Sequence, residues 1–91
     1  MNTALFEWSD EKNTTLRQTR NVCFEDVVTN IGNGKLLDIL QNPSSNHCDQ
    51  YCLVVEIMRY AYIVPFVRNG DSFFLKTIYP SRKLTKIYIK D

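Results

Sequence analysis

The chain has 91 residues, enough for one domain of 1–91 and too few for the separate cores of a multidomain enzyme. With 44% hydrophobic and 23% charged residues it is expected to fold, being too apolar for a disordered tail. Eleven Lys and Arg against ten Asp and Glu give a net charge of +1, which excludes a bulk polycation of the histone kind.

Leu5-Phe6-Glu7-Trp8 reads as a short β-like stretch. Ser9-Asp10-Glu11 then offers a cap residue and two acids, predicting a helix over 10–20 that stops at Asn21, a residue tolerant of the left-handed conformation. Leu16 is that helix's one strongly apolar side chain, so a narrow contact and a basic outer side are expected. Phe24, Val27, Val28 and Ile31 fall at i, i+3, i+4 and i+7, the stripe of a second helix over 24–31, which Gly32-Asn33-Gly34 ends. Lys35 to Leu40 reads as a strand and 42–47 as a polar loop.

From Tyr51 the pattern turns to β. Antiparallel strands are expected near 51–58, 60–67 and 72–79, with Asn69-Gly70 as a hairpin turn. Pro65 has no N–H to give a ladder, so its N side should meet an edge or a bulge. Pro80 stops the last strand and Ser81 caps a helix from Arg82 to about Lys90. The whole predicts an α+β fold: two N-terminal helices packed on an antiparallel sheet of about four strands, with a short C-terminal helix.

Three cysteines, Cys23, Cys48 and Cys52, an opening without the features of a signal peptide and the lack of a CxxC pair suggest a reducing cytoplasm. His47, Cys48 and Cys52 fall short of the four ligands of a structural zinc site, so no metal and no cofactor are expected. No run approaches the ~18 apolar residues of a membrane span. One His and scattered thiols make no nucleophile–base arrangement, and Gly32-Asn33-Gly34-Lys35 is a plain helix stop, lacking the rest of a phosphate loop.

What remains is cationic. Residues 1–50 hold four Lys or Arg and seven Asp or Glu, residues 51–91 hold seven and three, and no acid stands between Lys76 and Lys90. Lys76, Arg82, Lys83 and Lys86 gather beside Tyr79 at the end of one strand and on the helix after it. Such an end suits an anionic ligand, or is only a solvated face.

Phe6-Glu7-Trp8-Ser9-Asp10-Glu11-Lys12-Asn13, followed by Val22-Cys23-Phe24-Glu25-Asp26-Val27, resembles the opening of the BrnT-like toxins of bacterial toxin–antitoxin pairs. Leu75-Lys76-Thr77-Ile78-Tyr79-Pro80-Ser81-Arg82-Lys83-Leu84-Thr85 is similar to that family's last strand and its Arg-Lys helix start. The chain departs from the pattern at Leu16, where the family has Asn, at Thr19-Arg20-Asn21, where it has Lys-His-Gly, and at Cys23, where it has Ser. Arg20 keeps a cation in place of His but is no acid–base group near neutral pH.

The resemblance implies a RelE-like fold and a metal-independent endoribonuclease held in check by a ribbon-helix-helix antitoxin, as a dimer or a toxin–antitoxin heterotetramer. Cleavage by the RNA's own 2′-hydroxyl needs a proton acceptor, cations for the crowded phosphorane and a proton for the departing 5′-oxygen. Arg82 offers a fork for two phosphate oxygens, Lys83 and Lys76 add charge, and Tyr79 or a lysine moves protons. Lys12, Arg17, Arg20 and Lys86 extend the RNA path, and Tyr60, Tyr62 and Phe66 stack a base if they face outward rather than into the core. The alternative reading is a non-catalytic module that binds nucleic acid or a partner.

Overall fold

Among the described residues, serine caps open the first and last of three helices. The computed structural model describes residues 5–41 and 50–89. In α1 (Asp10–Thr19) Ser9 Oγ accepts from Lys12 N, and Asn21 leaves the helix at φ 57°. In α3 (Arg82–Tyr88) Ser81 Oγ accepts from Leu84 N. Between them α2 (Phe24–Gly32) turns its apolar stripe inward, burying Phe24, Val27 and Val28. The polar loop 42–47, Cys48 and the Lys90 end of the last helix lie outside the described residues.

The fold is α+β, with a sheet both larger and less uniform than the residue pattern predicts. Among the described residues six strands form it: β1 (Phe6–Glu7), β2 (Leu36–Gln41), β3 (Gln50–Ile57), β4 (Tyr60–Asn69), β5 (Ser72–Leu75) and β6 (Tyr79–Pro80). Their order is β1-β5-β4-β3-β2, with β6 also on β4. The β1–β5 pair is parallel, so the sheet is mixed. Two-residue strands such as β1 and β6 carry no periodicity, since both exist only through the neighbour they pair with.

The expected strand 72–79 is interrupted. β5 pairs β4 at Phe66–Asn69 and β6 pairs it at Tyr62–Ile63, leaving 76–78 out of the ladder. Pro65 sits in that gap. Its carbonyl accepts from Lys76 N at 2.8 Å, and N and C=O of one strand residue point to the same side, so the missing N–H faces the break. Pro65 thus occupies a central strand rather than an edge. The β3–β4 turn is made by Met58 and Arg59, both at positive φ, 52° and 65°, as a two-residue hairpin of right-handed twist demands.

Both faces of the sheet are packed. On the first, Leu16, Val22, Phe24 and Val27 meet Leu53, Val55, Val64, Phe66, Leu75 and Ile78. Trp8 stacks on Phe24 with ring centroids 5.5 Å apart. Register places Asp38, Val54, Ile63 and Tyr79 in one row of the other face. There α3 docks: Tyr88 OH donates to Asp38 Oδ2 at 2.5 Å, and Thr85 Oγ1 accepts from Ala61 N at 2.9 Å. The two N-terminal helices and the C-terminal helix therefore lie on opposite sides, an arrangement the residue pattern did not contain.

Candidate functional site

Four basic side chains, Lys76, Arg82, Lys83 and Lys86, are carried by one segment, the 76–86 corner, which runs from the strand break at 76 into α3. Two hydrogen bonds pin this segment to β4: Lys76 N to Pro65 O at 2.8 Å and Ser81 N to Ala61 O at 2.9 Å. Between the pins Ile78 is fully buried, and the next side chain, Tyr79, keeps 38% of its surface exposed. Lys76, Arg82, Lys83 and Lys86 are exposed. Among the described residues the ion pair formed is Arg17–Glu25, so none of these four cations is neutralised by a described carboxylate.

Arg82 and Lys83 occupy the first turn of α3, where no acid stands. Unpaired N–H groups make that end of a helix locally positive, so two cations there oppose the helix rather than support it.

Tyr79 contributes a phenol rather than a phenolate. Partial burial is the first cause that pushes its pKa up, and Cys52 on the same face of the sheet is the second. Such a group donates a proton better than it accepts one at neutral pH. Burial likewise raises the Cys52 thiol, which is 7% exposed.

The cations of α1 are placed differently. Lys12 and Arg17 are exposed on the opposite side of the sheet from α3 and do not join Arg82, Lys83 and Lys86 in one patch. Arg17 Nη2 lies 3.3 Å from Glu25 Oε1. Arg20 does reach the corner, where its Nη1 donates to Ile78 O at 3.2 Å and braces the residue before Tyr79. Arg20 thereby supports the strand that carries the phenol.

Phe66 is 6% exposed and packs in the core, which removes it as a base-stacking platform. Tyr60 and Tyr62 are half-buried, edge to face with centroids 5.9 Å apart. Reading the sequence missed Asn13, a buried side chain 6% exposed that bonds the start of α2, because nothing local marks a cap for another helix. Among the described residues no group of three His, Cys, Asp or Glu gathers to hold a metal, and no helix is long and apolar enough to cross a membrane. No family model, no curated protein and no solved structure matches the chain.

Proposed function

We propose that this chain is an RNA-directed toxin of the BrnT-like kind, acting in the cytoplasm as a metal-independent endoribonuclease. The observation that carries the reading is the 76–86 corner, where four exposed cations without described carboxylate partners share one short segment of chain with a neutral phenol. Further support comes from element order: a short strand, two helices on one sheet face, antiparallel strands and a basic terminal helix. That order is compatible with the RelE-like arrangement the resemblance implies.

In this reading the 2′-hydroxyl gives its proton to solvent water as its oxygen attacks the adjacent phosphorus, and the extra negative charge of the phosphorane falls to Arg82, whose planar fork meets two oxygens. Lys83 and Lys76 add charge, Lys86 holds a neighbouring phosphate, and Tyr79 gives its proton to the departing 5′-oxygen. A ribbon-helix-helix antitoxin would block the corner with an acidic segment, by charge complementarity, in a heterotetramer or a simpler complex.

One observation favours a second reading, a module that binds RNA without cutting it. No acid stands in residues 77–89, the one His lies in 42–47, and the phenol is held in its neutral form, so the corner itself offers no evident acceptor for the 2′-hydroxyl proton.

The test is RNA cleavage and RNA binding by wild type, Arg82→Ala, Arg82→Lys, Lys83→Ala, Lys76→Ala and Tyr79→Phe, with circular dichroism to confirm folding. Arg82→Ala is expected to lower the cleavage rate roughly a hundredfold, in the range seen when one oxyanion donor is removed. Arg82→Lys remains impaired, and Tyr79→Phe slows cleavage while leaving binding intact. Binding without cleavage by wild type, ribosomes included, establishes the second reading. Neither binding nor cleavage overturns both.

A further inference from the structure

Helices α1 and α2 cover only part of their side of the sheet. Beyond Ile31, the last apolar residue of α2, the sheet dips into a pocket of 210 Å³ to which the strands β1, β5, β4, β3 and β2 all contribute. Phe6, Phe73, Phe66 and Leu53 line it, and Leu36 and Ile39 stand at its mouth, 36% and 52% exposed. No polar atom lines the cavity. The Phe73 ring packs against Phe6 at 5.8 Å and edge-on against Phe66 at 5.4 Å, so the aromatic wall is preformed.

Arg68 marks one side. It stands opposite Phe73 in the β4–β5 ladder, hence on the same face, and its guanidinium carbon lies 5.9 Å from the centre of that ring. Arg68 is exposed, and no described carboxylate pairs with it. An all-apolar hollow beside an uncompensated guanidinium specifies an amphiphile. An apolar cavity of about 150 Å³ stays dry and accepts benzene, so this one takes a phenyl ring or a chain of comparable size. A guanidinium fork on the rim selects a carboxylate for the polar end.

We propose that this pocket binds a small aryl or medium-chain monocarboxylate, its hydrocarbon among the phenylalanines and its carboxylate on Arg68. An extended peptide added to the nearby β2 edge fits less well, because the register of β2 shifts between Leu36 and Asp38, and such an irregularity spoils an edge as a pairing template. The proposal is independent of the RNA reading, since α3 lies on the other side of the sheet.

The experiment titrates the whole chain with 4-phenylbutyrate and octanoate, and with the matching alcohols, following backbone amide shifts by NMR. Saturable shifts are expected at Phe6, Leu53, Phe66 and Phe73, with the acids binding about fivefold more tightly than the alcohols, the upper range for an exposed ion pair. Arg68→Gln brings the acids down to the alcohols' affinity. Ile39→Asp at the mouth weakens both, and RNA binding is unchanged in either variant. Equal affinity of acid and alcohol for wild type, no saturable shift with either, or a dimer by light scattering that buries the pocket overturns the proposal.

Discussion

Asn13 stands on α1, but both ends of its amide serve α2. Its Oδ1 accepts from Phe24 N at 2.7 Å and its Nδ2 donates to Glu25 Oε1 at 2.8 Å. Phe24 is fully buried, so its amide has no water to turn to. Asn13→Ala is therefore expected to cost about 1–3 kcal/mol, the penalty for stranding a buried donor, measured by urea denaturation. The same amide is the first cause that holds the Glu25 carboxyl below its ordinary value; burial opposes it, and Arg17 adds a smaller pull in the same direction. A carboxyl with a lowered folded-state pKa binds its proton more weakly in the folded than in the unfolded chain. Stability from this group is present above the ordinary carboxyl range and is lost as pH falls through the lowered value. Glu25→Gln keeps an acceptor for Asn13 but cannot titrate, so its stability is expected to fall less steeply than that of wild type below about pH 5.

At the scale of elements, α3 depends most on its contacts. Seven residues make two turns, too few to hold a helix in water by themselves. The Ser81 cap, Thr85 against the Ala61 amide and Tyr88 on Asp38 supply what its length does not. Each of the last two partners shifts the other: the phenol lowers the Asp38 carboxyl, and the carboxylate raises the Tyr88 phenol. Tyr88→Phe removes the donor and keeps the ring. Hydrogen exchange should then quicken at the α3 amides while the β3–β4 ladder keeps its protection; equal exchange in both proteins would show that the latch contributes nothing.

Across the whole molecule, charge is sorted by the sheet. The cations of α3 and those of α1 face opposite ways, although the sequence presents all of them as one possible basic path. On the proposed reading, single-stranded RNA at the α3 corner would release counterions from the phosphates it brings, roughly 0.7 per phosphate neutralised. Replacing Arg82, Lys83 and Lys86 together by Ala should flatten the plot of log Kd against log salt by about 2, read by fluorescence anisotropy. Lys12→Ala with Arg17→Ala should leave that slope as it is, because those side chains lie on the far side. A change of slope in the α1 pair alone would move the RNA to the α1 side.

What the sequence by itself determined was local. Ser9 and Ser81 announced their caps, Asn21 its left-handed stop and the Phe24–Val28 stripe its buried face, because each works through neighbours within four residues; the turn expected at Asn69-Gly70 falls one residue later, at Gly70-Asp71, because Asn69 still pairs with Ser72 in the ladder. The cations of the 76–86 corner were equally legible, since a run without acids needs no fold to be seen. The tertiary structure alone decided the rest. β1 and β6 are strands only by virtue of β5 and β4, and the Met58-Arg59 turn takes positive φ because the flanking ladder imposes it on residues with no preference for it. Asn13 caps a helix eleven residues away, and Tyr88 meets a carboxylate fifty residues away. The side of the sheet on which each helix lands separates the cations of α1 from those of α3 and leaves the phenylalanine pocket open, because packing between distant segments leaves no period in the chain.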